Sequence, residues 1–515
     1  MTEAQKPRWW MLAVIVGLAL LAEIIVWFVY SDDTMQQGIG LTTVVLVAGA
    51  LLFIWWLFLS RLPWKTRLAG LGVLALLAVG FFSLFRFEGL SGAFVPQYGW
   101  RFGSGGESAT AQSGARSASP SGSGGRLEIA AADWPGFRGP QRDSLALREV
   151  VRTDWNDNPP KEQWRRPVGP SWSSFVAVGD YLFTQEQRGD DEVVVAWRAA
   201  DGEEIWAHSN TARHETFLGG TGPRATPTLF DSRLYALGAT GRLDCLDPLT
   251  GSLHWTRDIA ADAGAKIPEY GYSGSPLVFG DVVVVNSGGP EGRAVTAYDR
   301  LSGEIAWQGG SRKAGYAAPR LETIGGEPQI LMYSAIGLGG HDPTTGEELW
   351  WYEWKNGYAN NSIQPILTAD GGVFISTEQT GSALVDPRRN GDGWTVTPRW
   401  ERENQFKLRY NGGVLKDNHV YGLDGGILAC FALDEGKRCW KKGRFRFGQI
   451  LLLRDHLLVL SENGDVVLLD ISPEGMEEIA RFHAIDGRCW NHPVVREGIL
   501  YVRSDEEAAS FDLRP

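Results

Sequence analysis

Three long apolar runs open this chain: Trp9–Tyr30, Ile39–Ser60 and Leu68–Phe87. Each is about 20 residues, enough for roughly 30 Å of helix, which matches the hydrocarbon core of a bilayer. The pattern predicts three membrane-spanning helices at 9–30, 39–60 and 68–87 inside an anchor of residues 1–90. After about residue 131 the pattern changes to short apolar strands separated by tight turns, and it continues to residue 515. The intervening segment 91–130 has a centre, Phe102–Gly125, made almost wholly of Gly, Ser, Ala and a few charges. Such a composition buries too little surface to fold, so it predicts a flexible linker.

Within the strand-rich part, Asp-x-x-x-Gly-x-x-x-Trp recurs at Asp247–Gly251–Trp255, Asp299–Gly303–Trp307 and Asp342–Gly346–Trp350. Two copies lack the Asp: Arg198–Gly202–Trp206 and Ala432–Gly436–Trp440. Successive Trp residues from Trp206 to Trp350 are 49, 52 and 43 residues apart. That period suits one four-stranded unit used repeatedly. The Asp accepts from turn amides, the Gly supplies positive φ, and the Trp offers a broad flat surface with one donor. Trp206, Trp255, Trp307, Trp350 and Trp440 are therefore expected to be staples between units rather than ligands.

A small or polar pair followed by Pro precedes each innermost strand, as in Ala225-Thr226-Pro227 and Asn491-His492-Pro493. Pro suits a strand's first residue, where the ladder needs no N–H. These landmarks count seven full units, ending near Trp206, Trp255, Trp307, Trp350, Trp400, Trp440 and Phe482. An eighth unit, Pro493–Leu513, has three strands, and the early segment Glu162–Val168 reads as its missing outer strand. The expectation is an all-β, eight-bladed β-propeller over 131–515, with seven blades as runner-up, behind a three-helix transmembrane anchor.

Charge sets orientation and excludes one class of partner. Lys6 and Arg8 precede the first span, Asp32 and Asp33 follow it, and Arg61, Lys65 and Arg67 lie in the second loop. By the positive-inside rule, the N-terminus and second loop are cytoplasmic, and everything after Phe87 lies outside. In a bacterium that means the inner membrane, with the propeller in the periplasm. The net charge of −12 has no basic stripe, which argues against nucleic acid. Glu23 lies inside the first span, where a carboxylate snorkels or pairs, with Arg86 as its expected partner.

Four cysteines and eight histidines show no ligand spacing, so no metal site is expected. Cys430 and Cys439 flank one hairpin turn. A disulfide between them is one reading, and two separate thiols are the other. Cys245 and Cys489 read as small buried apolar residues.

The repeats resemble those of the PQQ-binding-like, or quinoprotein-type, β-propeller family. The resemblance rests on the repeated motif, on Trp134-Pro-Gly-Phe-Arg-Gly-Pro140, and on the blade starts Gly222–Pro227 and Gly271–Pro276. It implies one of two kinds of protein. One kind is a dehydrogenase holding PQQ and calcium at the ring's centre. The other is similar to the cofactor-free propeller subunit of the outer-membrane β-barrel assembly machinery. The chain departs from alcohol-oxidising members in having no adjacent cysteines, and from the assembly subunit in having no lipid-anchoring Cys near its start.

Candidate contacts at the mouth of the ring are Trp172, Arg224, Tyr272, Tyr316, Asn361, Asn411, Asn491 and His492. Calcium takes six to eight oxygens, several from carboxylates. Only Glu215 and Glu269 are expected nearby. The set favours a non-catalytic scaffold that binds a periplasmic protein, of the kind used in envelope protein assembly, with no cofactor. The alternative is a PQQ-dependent dehydrogenase passing electrons to membrane quinone.

Overall fold

The computed structural model describes residues 7–102 and 126–515. The chain forms two compact units, Met1–Gly105 and Gly106–Pro515. In the first, α1 (Trp9–Val29), α2 (Thr34–Ile54) and α3 (Trp64–Leu84) are long helices, and α2 continues as a π turn over Trp55–Leu59. Three helical stretches, Trp9–Val29, Thr34–Leu59 and Trp64–Leu84, are long and apolar enough to cross a membrane.

The helix boundaries differ from those read in the sequence, most at the start of α2 and at both ends of α3, which begins at Trp64 rather than Leu68. α2 begins five residues early because the Asp33 carboxylate caps it, accepting from the amides of Met35 and Gln36 at 3.1 Å. α3 stops at Leu84 because the chain turns extended there. Strands Phe85–Leu90 and Pro96–Trp100 pair antiparallel, so residues 96–100 of the expected linker are ordered as strand. The Gly/Ser-rich stretch 103–125 lies outside the described residues. Glu23 faces a groove lined by Leu20, Ile24, Trp27, Phe28 and Leu41.

The second unit is a β-propeller. Its described residues form eight blades: six are sheets of four sequential antiparallel strands, blade 7 carries a fifth, parallel strand, and blade 8 takes one strand from elsewhere in the chain. Blade 1 runs from Val176–Val178 to Glu204–Thr211, and blade 7 from Gln449–Leu453 to Gly475–His483. Blade 8 takes three strands from the C-terminal end and its fourth, Lys161–Pro167, from far earlier, with Trp164 opposite Ser510. Arg503 locks this blade to its neighbour. Its fully buried guanidinium donates to Thr184 Oγ1 (2.7 Å), Gln185 O (2.9 Å) and Gly169 O (3.0 Å).

The repeated motif is a joint between blades. The Asp247 carboxylate accepts from the amides of Leu249 and Thr250 at 2.9 Å, and Asp299 and Asp342 do the same in their turns. Each motif Gly has positive φ, and each lies under the indole of the preceding blade. A Cβ on Gly251 (φ +69°) would meet the Trp206 ring at 2.6 Å, and one on Gly303 (φ +75°) the Trp255 ring at 2.7 Å. The indole N–H then crosses to the same turn. Trp206 donates to Pro248 O (2.9 Å), Trp255 to Arg300 O (3.0 Å) and Trp440 to Ser472 O (2.8 Å). Trp164 repeats the pattern across the closure, donating to Ala199 O at 2.9 Å.

Trp350 departs from it, donating instead to Gln329 Oε1 of its own sheet at 2.7 Å. The next blade has no Asp-x-x-x-Gly turn to receive it. That blade reaches back with the long hairpin Gly381–Asn390 and Gly393–Glu403, whose Glu401 accepts from Tyr352 and whose Arg389 meets Glu327.

One segment ahead of the first blade links several blades and joins the sheet of blade 7 only at its end. Residues 134–146 run across the ring and touch six blades, Phe137 meeting His492 of blade 8. Trp134 exchanges backbone bonds with Ala177 (2.8 and 2.9 Å), and Pro135 O accepts from Leu229 N (2.8 Å). Arg142 donates to Ser275 O (2.8 Å) and Pro276 O (2.9 Å), Arg138 donates to Gly413 O (2.5 Å), and Leu145–Ala146 pairs in parallel with blade 7. Burial pulls the Arg142 guanidinium down to about 9 and Arg138 to about 10. Both stay cationic at neutral pH, with backbone carbonyls in place of water.

Candidate functional site

All eight blades send residues to one cavity of about 180 Å³. They come from the extended segments leading into the innermost strands: Trp172 for blade 1, Arg224 for blade 2, Tyr270 and Ser273 for blade 3, and Tyr316 for blade 4. Asn360 and Ser362, then Arg409 and Tyr410, then Gln449, then Trp490 and His492 complete the circle. Phe137 of the crossing segment also lines the cavity, stacked edge-on to His492 with centroids 5.2 Å apart. The crossing segment thus gives the cavity part of its wall.

The walls are aromatic. Trp490 packs on Trp172 at 4.6 Å and on Tyr410 at 4.9 Å between ring centroids. Arg488 lies over both indoles, 4.9 Å from Trp172 and 4.6 Å from Trp490, and pairs with Asp505 at 3.1 Å. Arg409 pairs with Glu378 at 2.5 Å. Arg224 has no such carboxylate. It donates to Gly219 O (2.6 Å) and Gly220 O (3.0 Å), and burial pulls its guanidinium down to about 10. Glu192 acts on it only through its charge, and burial raises that carboxyl to about 7, so near neutral pH it is only partly ionised. Burial, helped by the Arg138 charge, holds His492 well below the usual imidazole range, so it is neutral at pH 7.

Of the eight mouth residues expected from sequence, Trp172, Arg224, Tyr316 and His492 line the cavity. Tyr272, Asn361, Asn411 and Asn491 do not. Tyr272 is buried and donates to Ser287 O at 3.1 Å. Asn361 donates to Ser334 O (3.0 Å), Asn411 to Leu423 O (3.3 Å), and Asn491 to Ser171 O (3.0 Å) and Ser173 O (2.6 Å). These four hold the wall from behind. Trp490, Tyr410, Arg409 and Tyr270 were missed, although Trp490 and Tyr410 each directly precede a chosen Asn.

Neither expected acid lines the cavity. Glu215 pairs with Arg213 at 3.1 Å, and Glu269 offers only its carbonyl, to His214. Among the described residues no group of three or more His, Cys, Asp or Glu is placed to hold a metal. Cys430 and Cys439 are thiols. Cys430 sits opposite Trp440, whereas Cys439 falls at a break in the ladder register and is exposed. Burial, then the neighbouring Cys439, pushes the Cys430 thiol up to about 12.

Residues 190–442 match the family described as outer membrane protein assembly factor BamB. A stretch of 160 residues is 30% identical to the quinohemoprotein alcohol dehydrogenase ADH-IIG of Pseudomonas putida, covering 30% of this chain. The match spans only 20% of that enzyme's length. Among solved structures, BamB from Moraxella catarrhalis aligns with TM-score 0.51 at 15% identity, over 68% of this chain and 99% of that one. Quinohemoprotein alcohol dehydrogenase from Comamonas testosteroni aligns with TM-score 0.55 at 13% identity, over 74% and 80%. The fold is that of these propellers, and just under half of the chain matches the assembly-factor family model.

Proposed function

We propose that this protein is a membrane-anchored propeller whose ring is a non-catalytic binding scaffold for a protein partner in the bacterial periplasm. Loops of the ring face present aromatic, amide and guanidinium groups. The observation that carries the reading is the donor set at the ring's mouth: arginines and aromatic rings, with no carboxylate among the lining residues. Calcium requires hard oxygen donors with several carboxylates among them, and this lining does not fit it. A dehydrogenase of the PQQ type also requires a base beside its metal, and the lining His492 is held among buried groups by its stack on Phe137. A role in envelope protein assembly follows the name of the matched family.

The full chain mixed with PQQ and calcium is expected to show no saturable uptake and no dye reduction with alcohols or sugars. Affinity capture from a membrane extract is expected to retain a stable protein partner. Uptake of the quinone with dye reduction would reverse the assignment to the dehydrogenase.

The anchor is oriented with its N-terminus in the cytoplasm of the inner membrane. Arg61, Lys65 and Arg67 cluster in the loop between α2 and α3, and Asp32 and Asp33 lie in the loop before α2. A phosphatase reporter fused after Gly125 is expected to be active, and a cytoplasm-dependent reporter at the same place inactive. The opposite pair of results would invert the topology.

A further inference from the structure

We propose that the mouth cavity is a carboxylate site, taking one acid group against Arg224 and a small apolar body between the Trp172, Tyr410 and Trp490 rings. The inference rests on the binding reading of the mouth and names the chemistry it receives.

Four side chains that line the cavity keep a buried polar atom without a hydrogen-bond partner among the described residues: Arg224 Nε, Tyr410 Oη, Gln449 Oε1 and His492 Nε2. Three of them are at least nine-tenths buried, with exposures of 9% for Arg224, 1% for Gln449 and 6% for His492. Buried polar atoms are nearly always satisfied, so four of them on side chains that line one cavity point to polar groups the protein itself does not supply. Elsewhere around the mouth the charges are matched, Arg409 with Glu378 and Arg488 with Asp505. Arg224 makes no ion pair among the described residues, and the partly ionised Glu192 offsets its charge only in part, which favours one negative charge in return.

The second constraint is size. The cavity of about 180 Å³ is close to the roughly 150 Å³ that holds one benzene ring. Multi-ring ligands occupy pockets of about 300–1,000 Å³. The aromatic walls suit a flat apolar body, and a guanidinium binds carboxylates through directed N–H donors. Gln449 Oε1 accepts an N–H or O–H carried by the same ligand. Such a group is borne by a free single-ring acid or by the C-terminal end of a polypeptide, and the two are separable.

The test uses the full chain in detergent micelles, followed by calorimetry and by the indole fluorescence of Trp172 and Trp490. The probes are benzoate against benzamide, and a tetrapeptide ending in phenylalanine as free acid against its C-terminal amide. At least one acid is expected to saturate, with its amide about tenfold weaker or worse. Saturation by benzoate alone assigns free acids, and saturation by the peptide acid alone assigns a chain end. Arg224→Gln is expected to weaken the acid by about tenfold, and Tyr410→Phe by about threefold. Tyr410→Phe removes an oxygen that bonds nothing in the protein, so it keeps the test open if Arg224→Gln fails to fold.

Equal affinity for acid and amide, no saturation by either acid, or unchanged affinity in a folded Arg224→Gln protein would overturn the site. If Arg224→Gln does not fold, unchanged affinity in Tyr410→Phe does the same. A captured protein partner that binds Arg224→Gln as well as the wild type would leave the scaffold standing and remove the carboxylate.

Discussion

A chain ending at His492 is expected to aggregate rather than remain a soluble monomer. The truncation removes three of the four strands of blade 8: Val494–Arg496, Ile499–Arg503 and Glu507–Asp512. Among the residues lost, Leu500, Val502, Ala508, Ala509 and Leu513 are fully buried. Burying a large aliphatic side chain contributes about 1.5–3 kcal/mol, so even Leu500, Val502 and Leu513 together are comparable with the 5–15 kcal/mol that holds a typical domain folded. Lys161–Pro167 loses its only partner strand, and the neighbouring blades lose the sheet between them. Unpaired strand edges of that kind recruit other chains. Size-exclusion chromatography and limited proteolysis read the result directly. A truncated protein that elutes as a protease-resistant monomer would show that the eighth sheet is dispensable.

Trp206→Ala is expected to destabilise the propeller by about 3–5 kcal/mol, the usual cost of deleting a large buried aromatic. Trp206 is only 1% exposed, donates to Pro248 O at 2.9 Å, and fills the space above Gly251. Its loss opens a cavity between blades 1 and 2 and leaves the turn carbonyl without its donor. Denaturant unfolding measures the shift. Trp350→Ala is the informative contrast. Its indole bonds within its own blade, so its loss weakens a sheet rather than a joint. A Trp206→Ala protein with wild-type stability would remove the staple from the account.

These joints were readable in the sequence because they are local and repeated. The Asp–turn bonds close within three residues, and the indole's partner is the turn of the next blade, so the requirement recurs along the chain wherever the turn is kept. The same reasoning paired Glu162–Val168 with the C-terminal strands, since a lone Trp-bearing outer strand fits only where three strands lack a fourth.

The mouth was only half legible, and two of the four misses share one cause. In extended backbone adjacent side chains point to opposite faces, so a one-residue error exchanges the cavity for the wall. Asn491 lies between the lining Trp490 and His492, and Asn361 between Asn360 and Ser362, whereas Asn411 and Tyr272 lie in segments that do not alternate, since the adjacent Arg409 and Tyr410 both line the cavity. The landmark Pro located each segment but not its phase. Phe137 lies in the Trp134–Pro140 stretch, but nothing local shows where it packs. Its place comes from Arg138 and Arg142 reaching carbonyls 275 and 134 residues further along the chain, a distance no local pattern encodes.

The late partner of Lys161–Pro167 also governs how the molecule can be made. Arg165 and Glu507 meet across 342 residues. At about 5–20 residues per second, synthesis separates their appearance by roughly 17–70 s. For that interval the early strand has no mate, while seven sheets can assemble behind it. Biogenesis is thus ordered by a waiting period, and whatever shelters that strand while it waits decides how much of the nascent protein matures.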